Sequence, residues 1–298
     1  MKRLLSCFLL LALCAALLSS CYIVTYSEGE VNPQELIDQI TPYVHISFDD
    51  VEKVFANLKA NNYTSIWEEP FLAALREAHF SYGARFSLYV WKDVLHDQPT
   101  KYQKEWQDAY YWLKIGLHSD ADGNFAEADY ERGKTEWEHF VADVYAMTGS
   151  YECIDYIPRL HNFAGSAEAL RGMSEAEHGA LGFLAADDER ISYDLTAEEN
   201  AALRESDLSI LHGRMYLPTD LRFENHRDKS MYEVLYEKWG DEPDEKFFIL
   251  FTHEYELYDG IEVNENFTWI DEAALYFSEQ GIPFGYTPPL SFSPRIEK

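Results

Sequence analysis

Two adjacent carboxylates, Asp49 and Asp50, close a short apolar run in the stretch VHISFDDVEKVF. Other polar groups follow similar runs downstream: His118 in LKIGLHSDAD, Arg159 and His161 in IPRLHNF, Asp187 and Asp188 in GFLAADDER, and His253 in FFILFTHE. Neighbouring carboxylates stay charged together at low cost only where one of them meets a cation, and a divalent metal supplies it. With Asp50 as a metal ligand and Asp49 as a base, the pair has a chemical purpose. The ion polarises a carbonyl and acidifies a water, the base takes the proton as that water attacks, and a histidine on the opposite side protonates the leaving group. Such a set suits hydrolysis of an ester or amide. Each residue alone has a plainer reading. An acidic pair after a strand is usually a turn or a helix N-cap, and a lone histidine at a strand end is more often a hydrogen-bonded core residue. What sets the group apart is its shared position.

That position depends on the elements between. Short runs rich in β-branched and aromatic residues alternate with longer amphipathic segments. Expected strands are Val44–Phe48, Ala84–Val90, Leu113–Leu117, Ile157–His161, Leu181–Ala185, Ser209–Leu211, Phe247–Thr252 and Pro283–Gly285. Expected helices include Ile66–Tyr82, Lys101–Trp112, Ala128–Met147, Ser230–Trp239 and Trp269–Gln280. Seven or eight such units over about 250 residues predict an α/β chain built as a parallel barrel, open or closed, with helices outside. A doubly wound open sheet would give a similar string. In a parallel barrel the carboxyl ends of the strands converge on one face, so side chains far apart in sequence meet there. There is no internal repeat and no low-complexity segment.

At 298 residues, 47% of them hydrophobic, the chain can bury one large core or two modest ones. The formal charge of −29, from 24 basic and 53 acidic side chains, repels polyphosphate and sets nucleic acid aside as a partner. Lys2 and Arg3 precede an apolar run, Leu4 to Leu18, that is short for a membrane span and placed as a signal peptide is. The run closes on Leu17–Cys21, LLSSC, which resembles the lipobox of bacterial lipoproteins. That resemblance implies a signal over residues 1–20, a lipid anchor at Cys21, an acidic tether over 21–40 and an extracytoplasmic, membrane-attached protein. Cys7 and Cys14 lie in the signal, so Cys153 stands alone in the folded part and no disulfide forms there. A tetracysteine zinc site is likewise excluded, and any metal must be held by carboxylates and histidines.

The stretches ISFDDV, RFSLYV, IGLHSDAD, IPRLH, GFLAADD and FILFTHE are similar, in order and rough separation, to those of the polysaccharide deacetylases, the NodB-homology or carbohydrate esterase family 4 group. The chain looks like a divergent bacterial branch of it, over about Val44 to Pro288 within a domain of residues 41–298. The resemblance implies a distorted (β/α)7 barrel, removal of N- or O-acetyl groups from a poly- or oligosaccharide, and a divalent metal, commonly Zn2+, with Mn2+ or Mg2+ as alternatives. It makes Asp49 the general base, Asp50 and His118 metal ligands, Arg159 the residue that steadies the base, Asp187 the nearby acidic residue and His253 the general acid. The second histidine of the family's H-S/T-x-x-H pattern is replaced by Asp122. The third ligand is then Asp122 or His161, which alternation along a strand places on the same face as Arg159. The alternative is a barrel that has lost its metal and only binds glycan. A glycoside hydrolase with paired carboxylates would leave the histidines idle.

Seven Trp, 21 Tyr and 18 Phe also bear on a sugar substrate, because Trp91 and Tyr255 flank expected strand ends where ring faces can stack on pyranose rings. Barrel and helix interfaces consume aromatics too. The stretch Glu254–Asp259 reads equally as a solvated loop or a helix cap.

Overall fold

The computed structural model describes residues 41–119, 125–241 and 243–286. The stretches expected as signal and tether, and Asp122, lie outside these residues. Among the described residues no helix is long and apolar enough to cross a membrane.

The elements are β1 Tyr43–Val51, α1 Lys53–Ala60, α2 Pro70–Tyr82, β2 Phe86–Trp91, α3 Gln103–Ala109, β3 Leu113–Ser119 and α4 Tyr130–Thr148. They continue as α5 Ala167–Glu175, β4 Phe183–Leu184, α6 Ala197–Arg204, β5 Ser209–Leu211, β6 Arg214–Leu217, β7 Leu221–Arg222, α7 Met231–Trp239, β8 Phe247–His253, α8 Glu254–Leu257 and α9 Thr268–Glu279. A five-stranded sheet has the order β3-β2-β1-β8-β7, all parallel, and a second sheet has the order β4-β6-β5.

Hydrogen bonds close these two sheets into one ring. Ile115 of β3 bridges Ile154, whose segment runs on through a bend at residues 156–157 to Pro158. Leu181 N–H donates to Tyr156 O and Leu184 N–H to Pro158 O, bringing β4 alongside. β4 pairs with β6, β6 runs on through Thr219 and Asp220 into β7, and β7 pairs with β8. Seven staves result, namely β1, β2, β3, residues 154–158, β4, the bent β6–β7 strand and β8. This is the distorted (β/α)7 barrel expected from the sequence.

Strand alternation sorts β1 into two faces. Val44, Ile46 and Phe48 join the large apolar cluster beneath the helices, while Tyr43 packs with Tyr89, Ile157, Leu184, Leu217, Phe247 and Ile249 inside the ring. His45, Ser47 and Asp49 continue that inward face, all of them buried. A parallel sheet covered on both sides reads as a near-continuous apolar run; β1 departs from this on its inward face, at His45, Ser47 and Asp49.

Several expectations about elements need correction. The helix expected over Ile66–Tyr82 is a 3-10 turn, Ile66–Glu68, followed by α2, because Pro70 has no N–H and disfavours helical Glu69. Residues 157–161 form no regular strand, since Pro158 removes a ladder donor. β5 is not a stave. It turns back on β6 through His212 and Gly213, both at positive φ, as a two-residue hairpin turn requires. The stave is β6–β7, which the sequence reading missed, together with α1, α5 and α6. For α6 a signal was present: Thr196 and Glu199 form a capping box.

Candidate metal centre

Asp49 and Asp50 sit where β1 ends. Ladder register is regular to Phe48 and shifts before Val51, so the acidic pair occupies a bulge, with Asp50 at φ 55°. Regular alternation would point one acid inward and its neighbour toward the helices. The bulge instead turns Asp50 toward the strand ends, and both carboxylates serve one site.

Asp50 Oδ1 lies 3.3 Å from His118 Nε2 and 3.8 Å from His161 Nδ1, and the two imidazole nitrogens are 3.2 Å apart. Four-coordinate zinc with ligand bonds of 2.0–2.2 Å separates its ligand atoms by about 3.4 Å, so the spacing of these three donors fits one such ion. Tautomer agrees. His118 Nδ1 lies 2.6 Å from Arg159 O, a carbonyl that can only accept, so Nδ1 carries a proton and Nε2 is the nitrogen that faces the centre. Among the described residues this is the one group of three His, Cys, Asp or Glu side chains so placed. Of the two third ligands considered, His161 takes part.

Electrostatics keeps Asp50 and His161 in ligating form. Burial acts to raise the Asp50 carboxyl, but the hydrogen bond and charge of His118, the His253 charge and the Trp91 indole bring it down to about 2. Burial and the neighbouring His118 push the His161 imidazole down, toward its neutral state. Trp91 Nε1 donates to Asp50 Oδ1 at 2.9 Å, and its ring lies 5.0 Å from that of His161. Trp91 therefore braces the ligands as well as edging the site.

Asp49 is buried and accepts from Arg159 Nη1 at 2.9 Å; the same Nη1 donates to Ser47 Oγ at 2.8 Å. The Arg159 guanidinium lies 4.2 Å above the Phe251 ring, which fixes its plane. In the β1–β8 ladder Asp49 pairs with His253. His253 Nδ1 lies 2.5 Å from Glu224 Oε1, and Glu224 also accepts from Thr252 Oγ1 at 2.7 Å. Burial opposes charge on His253, yet the Glu224 contact and the Asp49 and Asp50 carboxylates raise its pKa. A histidine so held is a proton donor with Nε2 free.

Asp187, the further catalytic candidate, pairs with an arginine and not with an imidazole. It accepts from Arg222 Nη2 at 2.7 Å, and Asp188 binds Arg190, so the carboxylate on His253 is Glu224. Sequence reasoning missed Glu224, which follows a strand it also missed. Tyr255 is 51% exposed and stacks on His253, ring centroids 4.9 Å apart at 27°.

No protein-family model matches the chain, and no curated protein is similar to it in sequence. Solved structures similar to it include a family 4 carbohydrate esterase from Streptomyces lividans in complex with acetate, 13% identical, covering 84% of this chain and 95% of that one, TM-score 0.46. Another is a peptidoglycan N-acetylglucosamine deacetylase, 9% identical, covering 86% of this chain and 95% of that one, TM-score 0.46. A third is a CE4 family pseudoenzyme from Bacillus anthracis, 10% identical over 82% of this chain, TM-score 0.45, of which this chain spans 63%. At identities and TM-scores this low, these likenesses decide nothing about activity. The side chains at the strand ends must do so.

Proposed function

We propose that the chain is a metal-dependent hydrolase that removes acetyl groups from a glycan, a divergent relative of the polysaccharide deacetylases. The observation that carries this reading is the convergence of Asp50, His118 and His161 beside a base held by Arg159 and an imidazole held by Glu224. Asp50, His118 and His161 would hold the ion, which supplies Lewis-acid polarisation of the acetyl carbonyl when bound. Asp49 takes a proton from water as the water oxygen bonds to the acetyl carbon. Arg159 keeps that carboxylate aimed and screens the inner end of the site. His253 then delivers its Nε2 proton to the sugar nitrogen or oxygen as the acyl bond breaks, and Glu224 steadies the imidazole before and after. Acetate and a free amine or hydroxyl leave.

The charge of −29 favours a neutral glycan over an anionic one. Tyr255, exposed at the rim, offers a ring face to a pyranose. The setting proposed is outside the cytoplasm, anchored through Cys21, and it rests on Lys2, Arg3 and the Leu17–Cys21 stretch.

The test is acetate release from acetylated chitin and xylan oligosaccharides by the purified, metal-loaded protein, alongside its metal content. The reading expects stoichiometric metal that is lost in Asp50→Ala and acetate release that is lost in Asp49→Asn. A metal-loaded protein that binds these oligosaccharides but frees no acetate from any would overturn it in favour of a glycan-binding barrel.

A further inference from the structure

Asp50 is the penultimate residue of β1 and His253 the last of β8, and one buried side chain joins the segments that follow them. Glu254 is 1% exposed. Its Oε2 accepts the backbone N–H of Glu52 at 3.2 Å and of Lys53 at 3.0 Å, and its Oε1 accepts that of Val54 at 3.0 Å. These donors open α1, and the N-cap residue Glu52 makes no side-chain cap of its own. First-turn N–H groups need partners, and the helix dipole favours a carboxylate there. Here the partner comes from the residue directly after His253.

The consequence falls on Asp50, two residues before Glu52. A non-glycine residue at positive φ is strained and persists only where its surroundings over-determine it. The Asp50 carboxylate is held by Trp91, and the backbone immediately downstream is pinned at three successive N–H groups by Glu254. Other bonds between the two segments lie elsewhere. Lys53 Nζ donates to Tyr258 O at 2.9 Å, and Asn57 Nδ2 donates to Tyr258 Oη at 2.7 Å and Gly260 O at 2.9 Å. None of them takes a backbone N–H of the turn next to Asp50.

We propose that Glu254 is a positioning residue, a strut that fixes the Asp50 bulge against the strand end bearing His253, so that metal affinity depends on a carboxylate that touches no metal. This deepens the proposed function and rests on the metal centre described there. The variant Glu254→Gln keeps the size of the side chain but turns an NH2 group toward backbone donors. Zn2+ titration of the full chain against a chromophoric chelator reads the outcome, with circular dichroism and urea unfolding alongside. The expected result is a folded protein whose Zn2+ affinity falls about 10–100-fold, as for lost supports of ligating side chains. Leu58→Ala, a core change in the same helix away from its first turn, should lower the unfolding midpoint and leave affinity at the wild-type value. Should Glu254→Gln fail to fold, Glu254→Asp, which keeps the charge and shortens the reach, takes its place with the same expectation. Wild-type affinity in the Glu254 variant overturns the strut. So does a fall shared by Leu58→Ala in proportion to lost stability. Zn2+ binding that survives Asp50→Ala instead removes the metal centre itself, a separate failure.

Discussion

Glu224→Gln isolates the charge behind the proposed acid. Glutamine has the same length and keeps a carbonyl oxygen for His253 Nδ1–H, so the contact at 2.5 Å can persist while its ionic character is lost. Thr252 Oγ1, which donates to the other Glu224 oxygen, then meets the glutamine NH2 and accepts from it instead. A hydrogen bond to a charged group contributes about 1.5–3 kcal/mol against about 1 for a neutral one. Loss of the ionic part, largest once His253 carries its proton, costs about 1–2 kcal/mol. At 1.36 kcal/mol per decade that is roughly a 5–30-fold fall in the rate of acetate release at neutral pH. The sign of the pH effect follows from the cause. Glu224 raises the His253 pKa, so its neutralisation lowers it, and the alkaline limb of the pH–rate profile must move to lower pH. The assay is kcat/KM across pH 5 to 10 on one acetylated oligosaccharide, with an NMR titration of the His253 ring. An alkaline limb and a ring titration both unmoved in Glu224→Gln would refute the assignment of His253 as an acid tuned by Glu224.

Further expectations concern the rest of the site and the barrel beneath it. Trp91→Phe keeps a ring near His161 but deletes the donor to Asp50 Oδ1, and should weaken Zn2+ binding about 10-fold in a chelator competition. Tyr255→Ala should raise KM for an acetylated oligosaccharide several-fold and leave KM for a ring-free ester such as ethyl acetate unchanged, as the tyrosine face stacks only on a ring-sized ligand. Burial, aided by the Arg159 charge, pushes the His45 imidazole inside the barrel down to about 4, against the pull of Asp155 and Asp49. The unfolded chain therefore binds the proton first, stability is full above pH 6.5, and about 3 kcal/mol is lost as pH falls from 6.5 through 4. Urea midpoints at pH 7.5, 5.5 and 4.5 measure this, and His45→Gln should flatten that part of the profile.

What could be read in advance followed from geometry that strands impose. Runs carrying Asp50, His118 and His253 at their carboxyl ends become parallel staves of one ring, so these polar groups had to meet. Three features escaped because they arise from tertiary context. The bulge that turns Asp50 beside Asp49 has no local signature in ISFDDV; its φ of 55° is held by Trp91 and by backbone bonds to Glu254. His161 reaches the centre by a route other than strand alternation. It opens a 3-10 turn with Asn162 and Phe163 at positive φ, after Pro158 has interrupted the ladder. Glu224 was hidden because Pro218 splits its strand into two short pieces, β6 and β7, that no period-2 pattern marks. Glu254 does act as a helix cap, one of the two readings its stretch allowed, but for a helix 200 residues away in sequence.

A crystal structure of the zinc-soaked protein, with anomalous scattering recorded at the zinc edge, bears most directly on the three-donor centre. It should place one ion within about 2.0–2.2 Å of Asp50 Oδ1, His118 Nε2 and His161 Nδ1. An ion held elsewhere, or a fully occupied barrel mouth in which His161 stays outside coordination distance, would contradict it.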